Sequence, residues 1–126
     1  MAYIFKNPNP RGRKVGDCVI RALSIGLDQP WDDIYYQLSG YGYDAKDMMS
    51  SNAVWDEMLR DYGFNRRVVP DRCKNGCYTV QDFCRDNRSG LYILGTGSHV
   101  VTVKNGDYYD TWDSGDEVPM YFYERG

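Results

Sequence analysis

The apolar positions of this chain change period near residue 91, from helical spacing before it to strand alternation after it. Over 16–27, Ile20, Leu23 and Leu27 mark one buried stripe, with Asp17 as N-cap and Asp28-Gln29-Pro30 as the stop. Over 29–38, Trp31, Ile34, Tyr35 and Leu38 make a second stripe, entered through Pro30 and acidic Asp32 and Asp33. Ser39-Gly40 is expected to end that helix, leaving 40–47 as a loop. A third helix is expected over 51–62, with Val54, Trp55, Met58, Leu59 and Tyr62 facing inward and Gly63 past its end. Residues 64–70 read as a short strand or extended link. A fourth, shorter helix starts at Thr79, with Asp82 three residues on as a capping box. Before all of these, Asn7-Pro8-Asn9-Pro10 and Arg11-Gly12 make 1–16 an extended arm rather than helix or sheet.

From Leu91 onward strands are expected at 91–94, 98–104, 107–112 and 120–123, with turns at 95–97 and 113–116. Asn105-Gly106 is a two-residue hairpin loop of the kind that needs positive φ twice. That register sets Lys104 opposite Asp107 and Val103 opposite Tyr108. His99, Val101 and Val103 then share a face with Tyr108, Asp110 and Trp112, and Asp113 points to the other face. Asp110 becomes a diagonal neighbour of His99. The patch of Val101, Val103 and Tyr108 is expected to be covered by the first helix. Helices followed by an antiparallel sheet make an α+β fold.

The length of 126 residues suits a single domain, 1–126, and 42% apolar with 26% charged residues excludes wholesale disorder. A net charge of −3 argues against nucleic acid as a partner. The short basic clusters Arg11-Gly12-Arg13-Lys14, Arg66-Arg67 and Arg72 with Lys74 read as solvated loops. Residues 1–5 carry no signal-peptide core, and no apolar run reaches membrane-spanning length. The expectation is a cytoplasmic protein with no membrane partner and four reduced cysteines.

Chemistry concentrates on one of those cysteines. Cys18 falls in the first turn of the first helix, where unpaired N–H groups and the positive dipole end favour thiolate, the nucleophilic form. His99 is the one histidine of the chain and the one candidate base. Asp110, on its face, is the candidate orienter, accepting from Nδ1–H and leaving Nε2 for Cys18. Cys73, Cys77 and Cys84 lack a fourth ligand and zinc spacing, and Cys84 beside Phe83 reads as core. Asp113, Asp116 and Glu117 form an acidic turn rather than a calcium loop. Neither metal nor cofactor is expected.

A cysteine opening an early helix, a histidine at the head of a late strand and an aspartate on the next strand resemble the papain-like cysteine peptidase superfamily. The segments 16–22, 98–101 and 109–115 are similar to bacteriocin-leader-cleaving peptidases and to small proteins of phages and bacteria. The resemblance implies a papain-like arrangement, with N-terminal helices packed on a C-terminal antiparallel sheet. It implies hydrolysis of a peptide, isopeptide or related amide bond in a peptide or protein substrate, in the cytoplasm of a bacterium or a phage-infected cell. Papain-like enzymes usually carry Gln six residues before the nucleophile; here that position is Gly12. The Cys18 backbone N–H and the amides of Asn9 or Asn7 are the candidate oxyanion donors, and Trp112 and Asp17 the candidate pocket residues. Two alternatives share the residues: acyl transfer of transglutaminase-like type, and an inactive binding module such as a phage-encoded inhibitor of a host protein. The sequence sets no oligomeric state.

Overall fold

A computed structural model describes residues 2–70, 73 and 76–125. The cluster at Arg72 and Lys74 lies outside the described residues. In chain order the elements are β1 (Tyr3–Phe5), α1 (Cys18–Leu27), α2 (Trp31–Ala45), α3 (Asn52–Asp61), β2 (Phe64–Val68), α4 (Val80–Asp86), β3 (Leu91–Gly95), β4 (Val100–Lys104), β5 (Asp107–Asp110) and β6 (Tyr121–Arg125). The fold is α+β, four helices on a six-stranded mixed sheet of order β1-β5-β4-β3-β6-β2.

The expected hairpin register holds, with Lys104 opposite Asp107 and Val103 opposite Tyr108, across a turn whose Asn105 and Gly106 both have positive φ. The sheet is not purely antiparallel, because β1 pairs parallel with β5 and closes that edge. Part of the arm is therefore strand. Three residues are too few to show alternation, and β1 gains its structure from its neighbour: Tyr108 N donates to Ala2 O at 3.0 Å and Lys6 N donates to Asp110 O at 3.0 Å.

Helix α2 also runs on through Ser39-Gly40 to Ala45. Ser39 Oγ satisfies itself on Tyr36 O at 2.7 Å. Further on, glycine at 42 lets the 47–49 backbone close in, since a Cβ there would lie 2.9 Å from Asp47 O. Tertiary contact overrides the poor local propensity. The stop is Lys46, in the left-handed region at φ 56°. Thr79 and Asp82 do form the reciprocal capping box of α4.

The sheet is covered on both faces, and the covering elements exchange the expected roles. Helices α1, α2 and α3 pack on the face of Ile93, Val100 and Tyr123. The face of Val101, Val103 and Tyr108, assigned from sequence to the first helix, is covered by α4 through Val80, Phe83 and Cys84. Val100–Val103 are all buried, so β4 gives no polar-out alternation from which to choose a face. The helix α1 comes close because Gly26 sits against Ile93, where a Cβ would be 3.0 Å from Ile93 Cδ1. Thr102 Oγ1 then donates to Ala22 O at 2.6 Å.

Cys73 and Cys77 are joined by a disulfide, against the expectation of four reduced thiols; Cys18 and Cys84 are free. No helix among the described residues is long and apolar enough to cross a membrane.

Candidate active site

Four strand ends and one helix start meet at one end of the sheet. The helix start is held by a buried cluster. Asp17 occupies the N-cap position of α1, but its carboxylate makes no cap bond. It pairs instead with buried Arg21, accepts Trp31 Nε1 at 2.9 Å and is met by Asn9 Nδ2 at 3.4 Å. Asp17, expected to line a pocket, is thus a 4% exposed anchor tying α1 to α2 and the arm. Arg21 Nη2 lies 3.5 Å from Asp110 Oδ1, so one guanidinium links the nucleophile helix to the end of β5. A buried cation between two carboxylates fixes both elements in register.

The histidine is presented by the 96–99 turn. Thr96 N donates to His99 O at 2.8 Å, and Thr96 Oγ1 accepts His99 N at 3.0 Å. The ring leaves β4 just before its first residue, which is how it reaches the end of α1 although the Val101 face belongs to α4. His99 Nε2 meets Asp110 Oδ2 at 2.6 Å. Asp110 also accepts Ser114 Oγ at 2.7 Å and Thr111 N at 2.8 Å, and only 2% of its side chain is exposed. Trp112 covers one side of the imidazole, ring centroids 4.7 Å apart, while staying 45% exposed itself.

The thiol of Cys18 is hydrogen-bonded to His99 and receives the Val100 backbone N–H. Because Nε2 is taken by Asp110, it is Nδ1 that faces the sulfur. This reverses the ring assignment drawn from sequence, which had placed the carboxylate on Nδ1. Strand geometry identifies which residues meet, whereas the rotamer of the imidazole decides which nitrogen does so.

Electrostatics follow from these contacts. Burial pushes the Cys18 thiol up, but the His99 hydrogen bond and charge, the Val100 N–H and Arg21 outweigh it and hold the thiol below its ordinary value. Burial works against the His99 cation too, yet Asp110 and Cys18 raise it to about 9. Asp110, despite burial, is held low by His99, Ser114 and Thr111. Each shift favours a thiolate–imidazolium pair beside an ionised carboxylate. Cys84 is the contrast, fully buried and pushed up to about 11 by burial.

The amides of Asn7 and Asn9 are used within the arm. Asn7 Nδ2 donates to Arg13 O at 3.3 Å and Asn7 Oδ1 accepts Asn9 N, while Asn9 Nδ2 turns to Asp17. Cys18 lies in the first helical turn, whose backbone N–H groups have no partner within the helix. Asp113, expected on the face opposite Tyr108, instead accepts the Tyr108 hydroxyl at 2.5 Å and Gly115 N at 3.0 Å, because β5 ends at Asp110 and strand alternation does not extend into the turn. Sequence reasoning missed Arg21, Ser114 and Thr96. Arg21 carried a signal, a cation amid the apolar residues of a short helix, which needs a carboxylate on the facing element. Among the described residues no group of three His, Cys, Asp or Glu side chains is placed to hold a metal ion.

Comparison of the chain with protein-family models, curated proteins and solved structures finds no match in any of the three.

Proposed function

We propose that this protein is a papain-like cysteine hydrolase that cleaves a peptide, isopeptide or related amide bond through Cys18, His99 and Asp110. The observation that carries the reading is one imidazole joining a thiol at a helix N-terminus to a buried carboxylate, with the Nε2 contact at 2.6 Å. A buried core thiol has no need of that partner, as Cys84 illustrates.

In this reaction the Cys18 thiolate attacks the carbonyl carbon. His99 gives its Nδ1 proton to the departing amine, leaving a thioester on Cys18. Water, deprotonated by the same nitrogen, then releases the acid and restores the thiol pair. Asp110 holds the ring through Nε2–H and stabilises the imidazolium, Ser114 and Arg21 hold Asp110, and Trp112 shields one ring face.

The test combines chemistry with mapping. Iodoacetamide below stoichiometry, near neutral pH, should label Cys18 alone, since Cys84 is buried and Cys73 and Cys77 are bridged. A panel of peptide, isopeptide and peptidoglycan-stem substrates should then give turnover that Cys18→Ala abolishes. Label on Cys84, or turnover that survives Cys18→Ala, overturns the reading. Amine incorporation in place of free acid would assign the same residues to acyl transfer.

A further inference from the structure

The oxyanion donor is the part of this chemistry that neither asparagine amide supplies, and the other flank of the thiol holds a different candidate. Across the end of the sheet Asp110 closes β5, His99 precedes β4, Gly95 closes β3 and Tyr121 opens β6. Tyr121 therefore stands on the opposite side of Gly95 from His99. Its ring leans across the sheet with the hydroxyl end leading. A Cβ built on Gly95 would lie 2.2 Å from Tyr121 Cζ and 2.5 Å from its hydroxyl oxygen, so the ring occupies the place of the missing side chain. Gly95 pairs with Val100, whose N–H donates to the Cys18 sulfur. The hydroxyl thus ends one strand away from the backbone group that touches the nucleophile, and Cys18 and Tyr121 pack on the rim of one apolar cluster.

Two further observations single out this hydroxyl. Tyr123, two residues on, bonds both Asp56 and Asn52, whereas the Tyr121 hydroxyl makes no hydrogen bond to any described residue. The Arg66 guanidinium lies over the Tyr121 ring, 4.0 Å from its centroid. A cation on the ring face fixes the ring and makes its O–H a stronger donor.

We propose that Tyr121 is a catalytic residue, its hydroxyl completing the oxyanion hole with the Cys18 backbone N–H. This rests on the reading of Cys18 as nucleophile. In the step concerned, a bond forms between Cys18 sulfur and the carbonyl carbon. The π pair moves onto the carbonyl oxygen, and Tyr121 O–H donates to that oxygen without losing its proton. When the pair returns, the C=O re-forms and the carbon–nitrogen bond breaks, the amine leaving with the Nδ1 proton of His99. Burial keeps the phenol raised and neutral, as a donor must be.

The experiment compares the parent with Tyr121→Phe, Gly95→Ala and Cys18→Ala in two reactions. Acetylation by p-nitrophenyl acetate passes through an oxyanion and releases p-nitrophenolate; alkylation by iodoacetamide forms none. Tyr121→Phe should slow acetylation on the order of 10²–10³-fold, as loss of one oxyanion donor does, while alkylating Cys18 at the parent rate. Gly95→Ala, which displaces the ring but keeps the hydroxyl, should lose acetylation in the same way. Should it fail to fold, Tyr121→Phe decides alone. Acetylation of Tyr121→Phe at the parent rate overturns the inference and leaves the hydrolase reading standing. A parent acetylated no faster than Cys18→Ala overturns both.

Discussion

At the residue scale the site depends on which atoms share a carboxylate. Asp110 receives His99, Ser114 and the Thr111 N–H and faces Arg21, whereas Asp113 serves Tyr108 and the turn beyond it. Asp110→Asn keeps size and shape but removes the charge that raises His99. The imidazole then falls back from about 9 and loses its proton earlier, so the Cys18 thiolate loses its cation and titrates higher. The pH profile of Cys18 alkylation should therefore move upward in Asp110→Asn and stay in place in Asp113→Asn. Turnover should fall about 10²–10⁴-fold in the first variant, the usual worth of acid–base catalysis, and change little in the second. A shift confined to Asp113→Asn would contradict the contacts above. The meeting of His99 and Asp110 was legible because a two-residue hairpin transmits register to specific side chains, and Cys18 stood out as the thiol opening a helix, but the face on which that helix packs was not legible. Ser114 was not, because its hydroxyl reaches Asp110 by a turn conformation that no spacing encodes. Nor was the imidazole rotamer.

At the element scale, strongly periodic segments were legible and close approaches were not. Helices α1 and α3 and the capped start of α4 follow from stripes and caps. The length of α2 and the existence of β1 follow from neighbours, Asp47 in one case and β5 in the other. The exchange of sheet faces has the same origin. A strand buried on both sides, like β4, states that two layers cover it without stating which helix lies on which side. Helix α4 supplies the second layer from only seven residues, so its cap carries weight. Thr79 Oγ1 accepts Asp82 N at 3.2 Å and Asp82 returns the bond to Thr79 N at 3.0 Å. Val80 N and Gln81 N reach Glu117 O and Gly115 O. Thr79→Ala should destabilise by about 1 kcal/mol, the typical worth of a lost N-cap, lowering the urea midpoint at constant slope. Cys18 alkylation should be untouched, because α4 and α1 lie on opposite faces of the sheet. A change in thiol reactivity without a change in stability would contradict that layering.

At the scale of the whole molecule, ionisable groups are buried in pairs that respond to pH in opposite senses, and the alkaline side is the informative one. His99 is raised from 6.5 to about 9, so its stabilisation is complete below 6.5 and lost as pH rises through 9. Cys18, lowered from 9.0, contributes stability that is present above 9.0 and lost as pH falls through its folded value, which opposes His99 over the same window. Cys18 therefore offsets part of the His99 loss, and stability should decline as pH rises from 7 to 9. The phenols have no such counterweight. Tyr41 is raised to about 12, first by its hydrogen bond to Asp61 and then by burial; Tyr108 is raised to about 12 by burial and then by Asp113. Tyr78 and Tyr123 are raised by burial and then by Asp86 and Asp56. A raised phenol means that the fold prefers the neutral form. The stabilisation is present below the unfolded value of 10.0 and lost as pH climbs from there through the folded values. The melting temperature should decline from pH 7 to 9 and fall more steeply above 10, as these phenols ionise on unfolding. Tyr108→Phe, which removes one such group from the α4 side, should soften the fall above pH 10 while lowering stability at pH 7 through loss of the Asp113 bond. A melting temperature that falls no faster above pH 10 than below 9 would show that these tyrosines ionise in the folded protein and that their carboxylate partners do not hold them neutral.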